Sequence, residues 1–160
     1  MSDTIVLKKG LNIPIKGEAD LRVSKTISPD IVAINPADFK GLLPRLLVKE
    51  GDKVLAGSPV FSDKRNPSIL IASPVSGTVK EVVRGEKRKL LAVLIQADDA
   101  QQYLGFGVQN PDLMSAEQIK EALLKSGLWP WLIQRPYGII ANPDVTPKAI
   151  FVSGFNTAPL

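Results

Sequence analysis

The sequence predicts a mostly β chain, a small barrel or sandwich with an α+β remainder, and two observations carry that prediction. From Thr4 to about Ile95 the apolar residues fall in short runs bounded by Gly, Pro, Asn and Asp, which is the punctuation of closely set strands. Beyond them one stretch, Ser115 to Gly127, has helical spacing. Strands first and a helix afterwards argue for a small all-β body followed by a different element.

Taken in order, the strand runs are Ile5 to Leu7, Ile31 to Ile34, Leu46 to Val48, Pro59 to Phe61, Ser68 to Ile71, Thr78 to Val83 and Leu90 to Ile95. The alternation in Thr78 to Val83 is imperfect, because Val79 shares a face with Glu81 and Val83, so Val82 is expected near a strand end. The turns between the runs are more telling. In "VKEGDKVLAGSPVF", Val48 to Phe61, Gly51 takes a positive φ cheaply and Asp52 is placed to hydrogen-bond the backbone of its own turn. Gly57 closes the next reversal and Pro59 fixes the entry to the following strand. In "PVSGTVKEVV", Pro74 stiffens the approach, Ser76 and Gly77 are expected to make the turn, and Thr78 restarts a β-favouring run.

The helix has its own signals. Ser115 caps it, Gln118 completes a capping box, Ala116, Ile119, Ala122 and Leu123 form an apolar stripe, and Gly127 ends it before Pro130. Glu121 and Lys125 are spaced for an ion pair on the wet face. Ala149 to Val152, "AIFV", reads as a buried strand. So little sequence follows it that its sheet partners are not obvious.

Composition narrows the chemistry. With 160 residues, 44% of them hydrophobic, the chain can bury one sizeable core. Its formal charge is +4, but the 20 basic residues are scattered among 16 acidic ones without a single-sign block, which gives no argument for nucleic acid. There is no Cys, so disulfides, thiolate nucleophiles, Cys-ligated zinc and iron-sulfur clusters are excluded within this chain. The absence of His removes the commonest general base and any Ser-His-Asp site. The first residues show no basic-then-apolar signal pattern, and the longest apolar run, Leu90 to Ile95, falls far short of the roughly 20 residues of a membrane helix. A cytoplasmic or peripheral segment, not a membrane-spanning one, is expected.

The ordered pair "V-x-x-G-D-x-V-x-x-G-x-P-x-F" and "P-x-S-G-x-V", within Leu47 to Val83, resembles the two half-motifs of the barrel-sandwich hybrid in biotinyl and lipoyl carrier domains, which a quasi-twofold relates. The biotin-attachment Met-Lys-Met is absent, since Met stands only at positions 1 and 114. Asp63 and Lys64 are similar to the first two residues of the lipoyl Asp-Lys-Ala tip, but Arg65, Asn66 and Pro67 follow and the segment to Pro74 is long for a carrier hairpin. Lys64 is thus read as an exposed turn lysine, with a lipoyl carrier as the alternative.

A wider resemblance covers nearly the whole chain. "LKKGLNIPIKG" (Leu7 to Gly17), "LLVKEGDKVLAGSPVFSDKRNP" (Leu46 to Pro67), "SPVSGTVKEVVRGEKRKL" (Ser73 to Leu90), "LLKSGLWPWLIQRPYG" (Leu123 to Gly138) and "PKAIFVSGFNTAPL" (Pro147 to Leu160) are together similar to the N-terminal part of the A-subunit family of sodium-translocating NADH:quinone oxidoreductases. The resemblance implies a fragment of a longer polypeptide, with residues 1–98 a biotinyl/lipoyl-like sandwich and 99–160 a linker, helix and first strand of an incomplete α/β domain. It also implies a peripheral subunit on the cytoplasmic face of the bacterial inner membrane, in a complex that oxidises NADH, reduces a quinone such as ubiquinone and exports sodium. This chain would carry no cofactor, and NAD, flavins and an iron-sulfur centre would sit in partner subunits. The related electron-transport subunit of Rnf complexes is a further alternative, distinguished by Cys clusters further along.

Four motifs have a plainer reading beside the functional one. "GFGVQNP", Gly105 to Pro111, opens like a dinucleotide fingerprint but lacks the third glycine and has Pro111 where a helix should run, so a loop is expected. "PVSGTV" lacks the Asp-Gly of flavin-attachment motifs, which disfavours covalent flavin at Thr78. "RGEKRK", Arg84 to Lys89, reads as a solvated hairpin, with docking on an acidic partner or lipid headgroups as the lesser reading. "LWPWLIQRPYG", Leu128 to Gly138, is the best candidate for ligand or partner contact. Trp129, Trp131 and Tyr137 supply flat apolar walls and Arg135 a donor, as a quinone headgroup needs; the plainer reading is an ordinary buried inter-domain aromatic cluster.

Overall fold

The computed structural model describes residues 6, 8, 16–17, 20, 22–108 and 110–154. The chain divides into two compact units, Ser28–Lys148 and a second formed by Met1–Ile27 with Ala149–Leu160. In the first, β1 (Ile31–Ile34), β2 (Pro44–Leu46), β3 (Lys53–Val54), β4 (Pro59–Asp63), β5 (Leu70–Ala72), β6 (Gly77–Arg84) and β7 (Leu90–Ala97) precede the helix α1 (Ala116–Lys125) and the short strands β8 (Ile133–Gln134) and β9 (Ile139–Ile140). A four-stranded sheet runs in the order β1-β7-β6-β3 and a three-stranded one in the order β2-β4-β5. All strand pairs are antiparallel.

Side chains from both sheets meet in one core. Val60, Phe61 and Ile71 enter it from the three-stranded sheet, and Ile34, Val54, Val79, Val93 and Ile95 from the four-stranded one. Each fully buried aliphatic or aromatic side chain contributes about 1.5–3 kcal/mol by leaving water. The observed body is therefore the predicted sandwich.

The two half-motifs interlock, which explains their shared punctuation. β3 of the first pairs with β6 of the second, and β4 of the first with β5, the strand that leads into the second. Around the first turn, Gly51 N–H donates to Val79 O at 2.8 Å and Val79 N–H donates to Asp52 O at 2.8 Å. Around the second, Gly57 N–H donates to Ser73 O and Ser73 N–H to Ser58 O, both at 2.8 Å. Gly51 and Gly57 have φ of 87° and 98°, as the turn chemistry requires. Asp52 Oδ2 accepts from Lys49 N–H at 2.9 Å, the expected bond within its own turn.

Gly77 differs from expectation. The bend lies at Pro74 and Val75, whereas Gly77 is the first residue of β6, paired to Val54 on one side and Ala97 on the other. Glycine is needed there for closeness, because a Cβ would stand 2.0 Å from Gln96 O. The broken alternation of β6 also has a cause. Val79 faces Ile95 and Glu81 faces Leu94, so Lys80 is the extra residue of a bulge, and a bulge resets which face follows.

Strand bounds shift elsewhere. β2 begins at Pro44, two residues before the predicted Leu46, which is tolerated because β2 is an edge strand. β3, β8 and β9 go beyond the sequence expectation; each is two residues long. The predicted strand Ile5 to Leu7 lies outside the described residues.

The helix matches its signals closely. Ser115 Oγ accepts from Gln118 N–H at 3.3 Å, and Gln118 Oε1 accepts from Ser115 N–H at 2.8 Å. At the other end Gly127, at φ 72°, closes the helix: its N–H donates to Leu124 O and that of Leu128 to Leu123 O, the paired bonds of a Schellman cap. Two details are corrected. Ala116 is exposed while Leu124 packs on the core, so the inward stripe is rotated toward the C-terminal half. Glu121 and Lys125 form no ion pair; the ion pairs among the described residues are Arg22–Asp20 and Arg65–Asp63, since exposed pairs gain little against side-chain entropy. Ser115→Ala is expected to cost about 1 kcal/mol, read as a lower denaturation midpoint at unchanged slope.

In the second unit, Ala149 to Val152 is not a strand. Ile150, Phe151 and Val152 are exposed rather than buried, and among the described residues no strand runs beside the segment. An apolar run without a neighbouring edge has nothing to satisfy its backbone as a sheet would.

Candidate functional site

The segment Leu128 to Gly138 begins where α1 ends, and the helix end fixes its starting point. A Cβ on Gly127 would lie 2.8 Å from Ala72 Cβ, so the helix terminus is seated directly on β5. A single 3₁₀ turn, Trp129–Trp131, follows with Pro130 buried. Trp129 turns inward, half-buried against the core, and its Nε1–H donates to Ala141 O at 2.8 Å. β8 and β9 then form a hairpin, closed by Gly138 N–H donating to Gln134 O at 2.9 Å and Ala141 N–H to Leu132 O at 2.8 Å.

The other three candidate side chains face outward. Trp131 is 71% exposed and Tyr137 64%, with Arg135 exposed at the hairpin tip. Of the four residues only Trp129 is turned in. Leu132 and Ile133 add exposed aliphatic surface between them.

Two residues that sequence reasoning missed hold the segment. Phe39 meets Trp131 edge-on with ring centroids 6.0 Å apart, and meets the buried Phe61 the same way at 6.3 Å. A run of three rings thus leads from the core to the surface. Lys40 Nζ–H donates to Tyr137 O at 2.9 Å. The lysine and the tyrosine are 97 residues apart in sequence, and no local spacing points to such a contact.

Beside the hairpin lies a cleft of about 370 Å³ lined by Lys40, Asp63, Arg65, Asn66, Gln134 and Asp144, among others. Its polar groups engage one another. Buried Asp63 accepts from Arg65 N–H at 2.8 Å and pairs with Arg65 Nη2 at 3.3 Å; Arg65 Nη2 also donates to Gly41 O, and Asn66 Nδ2–H donates to Asp144 Oδ2 at 3.1 Å. These bonds tie the β4–β5 loop down. Lys64 sits in that loop with an exposed side chain and its N–H donating to Leu43 O at 2.8 Å.

The remaining motifs are plain. Gly105 to Gly107 and Val108 belong to no strand or helix. Thr78 is paired within β6 to Lys53 and Gln96. Arg84 to Lys89 forms the β6–β7 connection, with Glu86, Lys87, Arg88 and Lys89 all exposed; Gly85 N–H donates to Lys89 O at 2.8 Å. A solvated hairpin describes it. Among the described residues no helix is long and apolar enough to cross a membrane.

Comparison with known families agrees with this architecture. Residues 5–98 match the NqrA N-terminal barrel-sandwich hybrid domain and residues 114–160 the NqrA second alpha/beta domain. The chain is similar to the A subunit of the Na(+)-translocating NADH-quinone reductase of Pseudomonas aeruginosa strain UCBPP-PA14, with 37% identity over 158 residues, 98% of this chain and 36% of the relative. It is similar to the corresponding protein of Tolumonas auensis, at 40% over 159 residues, 98% of this chain and 36% of the relative. That of Haemophilus influenzae strain PittGG is 35% identical over 158 residues, 98% of this chain and 35% of the relative. The chain spans about a third of the length of these curated relatives. With its sandwich matched over residues 5–98 and its relatives aligned along 98% of its length, the chain belongs to the NqrA family.

Proposed function

We propose that this chain acts as a docking and structural part of a membrane complex that oxidises NADH, reduces a quinone and exports sodium ions, on the cytoplasmic face of the membrane. Membership of the NqrA family is the observation that carries this reading, since its relatives are named as A subunits of Na(+)-translocating NADH-quinone reductases. The redox groups belong to other subunits. This chain has no Cys to hold an iron-sulfur cluster and no His, and the stretch before Thr78 lacks the Asp-Gly of flavin-attachment motifs, which supports that reading.

Within that role the outward face of Leu128 to Gly138 is the contact for a quinone or another protein of the complex. Trp131 and Tyr137 offer exposed rings and Arg135 an exposed donor between them, the mixture that flat carbonyl-bearing headgroups take. A lipoyl-carrier role has no such support. The Lys64 loop is bonded into the body through Asp63, Arg65 and Gly41, unlike a free tip.

The test is a tagged version of the full-length protein purified from its native membranes. Flavoprotein subunits and sodium-stimulated NADH:quinone reductase activity are expected to copurify, and a tagged chain that purifies alone while the activity stays elsewhere overturns the reading. In the assembled complex, Arg135→Ala is expected to raise the quinone KM by about tenfold, the loss of one hydrogen bond to a charged donor. An unchanged KM removes the quinone contact.

A further inference from the structure

The stretch after the sandwich, expected as a linker, is bonded back to the sandwich from Asp98 to Leu104. Residues 98–108 form no strand or helix, apart from one parallel bridge between Tyr103 and Ala56. Asp98 N–H donates to Ser76 O at 2.9 Å, Gln102 N–H to Ser76 Oγ at 2.9 Å, and Ser76 N–H to Gln101 Oε1 at 2.7 Å. Gln101 Nε2–H also donates to Asp98 O at 2.6 Å and to Ser76 O at 3.4 Å. Ser76 is 0% exposed, so its polar groups need partners, and this stretch supplies them. Two further bonds run to the first half-motif: Ala56 N–H donates to Gln102 O at 2.9 Å and Leu104 N–H to Ala56 O at 2.8 Å. Leu104 and Phe106 cross the turn at Gly57, where a Cβ would stand 3.3 Å from one and 3.2 Å from the other.

We infer that Asp98–Phe106 is a locking strap, clasped on Ser76 by Gln101, which holds the sandwich in one fixed pose on the helix and hairpin that follow. The sandwich does not swing on a linker. A flexible coil of about nine residues lets its ends wander over about 15–18 Å, whereas Ser76 and Ala56 fix this one in register. The far end is fastened as well. Leu124 and Trp129 pack on the core, a Cβ on Gly127 would lie 2.8 Å from Ala72 Cβ, and Asn66 Nδ2–H donates to Asp144 Oδ2 at 3.1 Å. Whatever the sandwich touches, it touches at a geometry set by the chain itself. The inference concerns this chain alone and rests on neither a quinone contact nor a docking role.

The experiment uses the full chain. It has no Cys, so Lys80→Cys in β6 and Glu117→Cys in α1, both at exposed positions, supply the two sites for spin labels. Pulsed dipolar spectroscopy is expected to give one narrow distance distribution. By NMR, the Gln102 and Leu104 amides are expected to be protected from hydrogen exchange at least about tenfold more than that of Gly105, which has no partner among the described residues. Gln101→Ala, a change outside the core, should speed exchange at Gln102 and Leu104 by about tenfold. Gln101→Glu keeps an acceptor for Ser76 N–H and should speed it less. Unchanged exchange in β7 shows that folding is intact. A broad distance distribution, strap amides that exchange as freely as Gly105, or exchange indifferent to Gln101→Ala overturns the strap. No quinone or other subunit enters the experiment, so its failure leaves the copurification test of the complex standing on its own.

Discussion

Gly77→Ala is expected to be the most damaging Gly→Ala change among the described glycines, lowering stability by about 3 kcal/mol or more and leaving much of the protein unfolded at 25 °C. The added Cβ would stand 2.0 Å from Gln96 O and 3.1 Å from Ala97 Cα. Backbone cannot swing aside as the end of a side chain can. Relief requires β6 and β7 to part at their first pair, Gly77 with Ala97, and the same residue also carries the pairing to Val54 in β3. The join of the two half-motifs through β3 and β6 would be disturbed at its Val54–Gly77 pair. Circular dichroism with urea titration measures the effect. A loss below about 1 kcal/mol would show that the strands separate there without cost and that the crossing is not tight.

Phe61→Ala follows, with an expected loss of about 3–5 kcal/mol. Phe61 is 0% exposed and lies in β4, paired to Leu46 in β2 and Ile71 in β5. Removing its ring leaves a cavity at the centre of the three-stranded sheet and withdraws the edge-on contact with Phe39, itself worth about 0.5–1.5 kcal/mol. Since Phe39 in turn braces Trp131, the loss should extend to the surface. The tryptophan emission of the folded variant is expected to change, and a variant with native emission and a small stability loss would show that Phe39 is held by other contacts.

Much of the sandwich is legible in the sequence because turns announce themselves chemically. Gly51, Asp52 and Gly57 do what their residue types allow at those positions, and Ser115, Gln118 and Gly127 fix both helix ends to the residue. What is not legible depends on partners. β3 shows only Val54 as a buried side chain, and β8 is exposed at both positions, so neither has a two-residue period to read. Gly77 reads as a turn residue because glycine usually signals one, whereas here the constraint comes from Gln96 on another strand. In the candidate site the aromatic residues are visible in sequence but their facing is not. Trp129 and Trp131 are two residues apart in one 3₁₀ turn, and only the neighbours, Ala141 for one and Phe39 for the other, decide which points inward. Ala149 to Val152 departs from expectation for the same reason in reverse, as an apolar run promises a strand only where an edge exists to receive it.

The seating of Gly127 against Ala72 and the indole bond from Trp129 to Ala141 bear on how anything binds to Leu128–Gly138. A loop that must be ordered by its ligand gives up about 0.5–1.5 kcal/mol for each side chain it immobilises. This one is clamped at both ends and braced at Trp131 before any ligand arrives, so its ordering entropy is already spent in folding. Association at this face should therefore proceed without a slow rearrangement, and its strength should be set by the lifetime of the contact, through dissociation, more than by the speed of encounter.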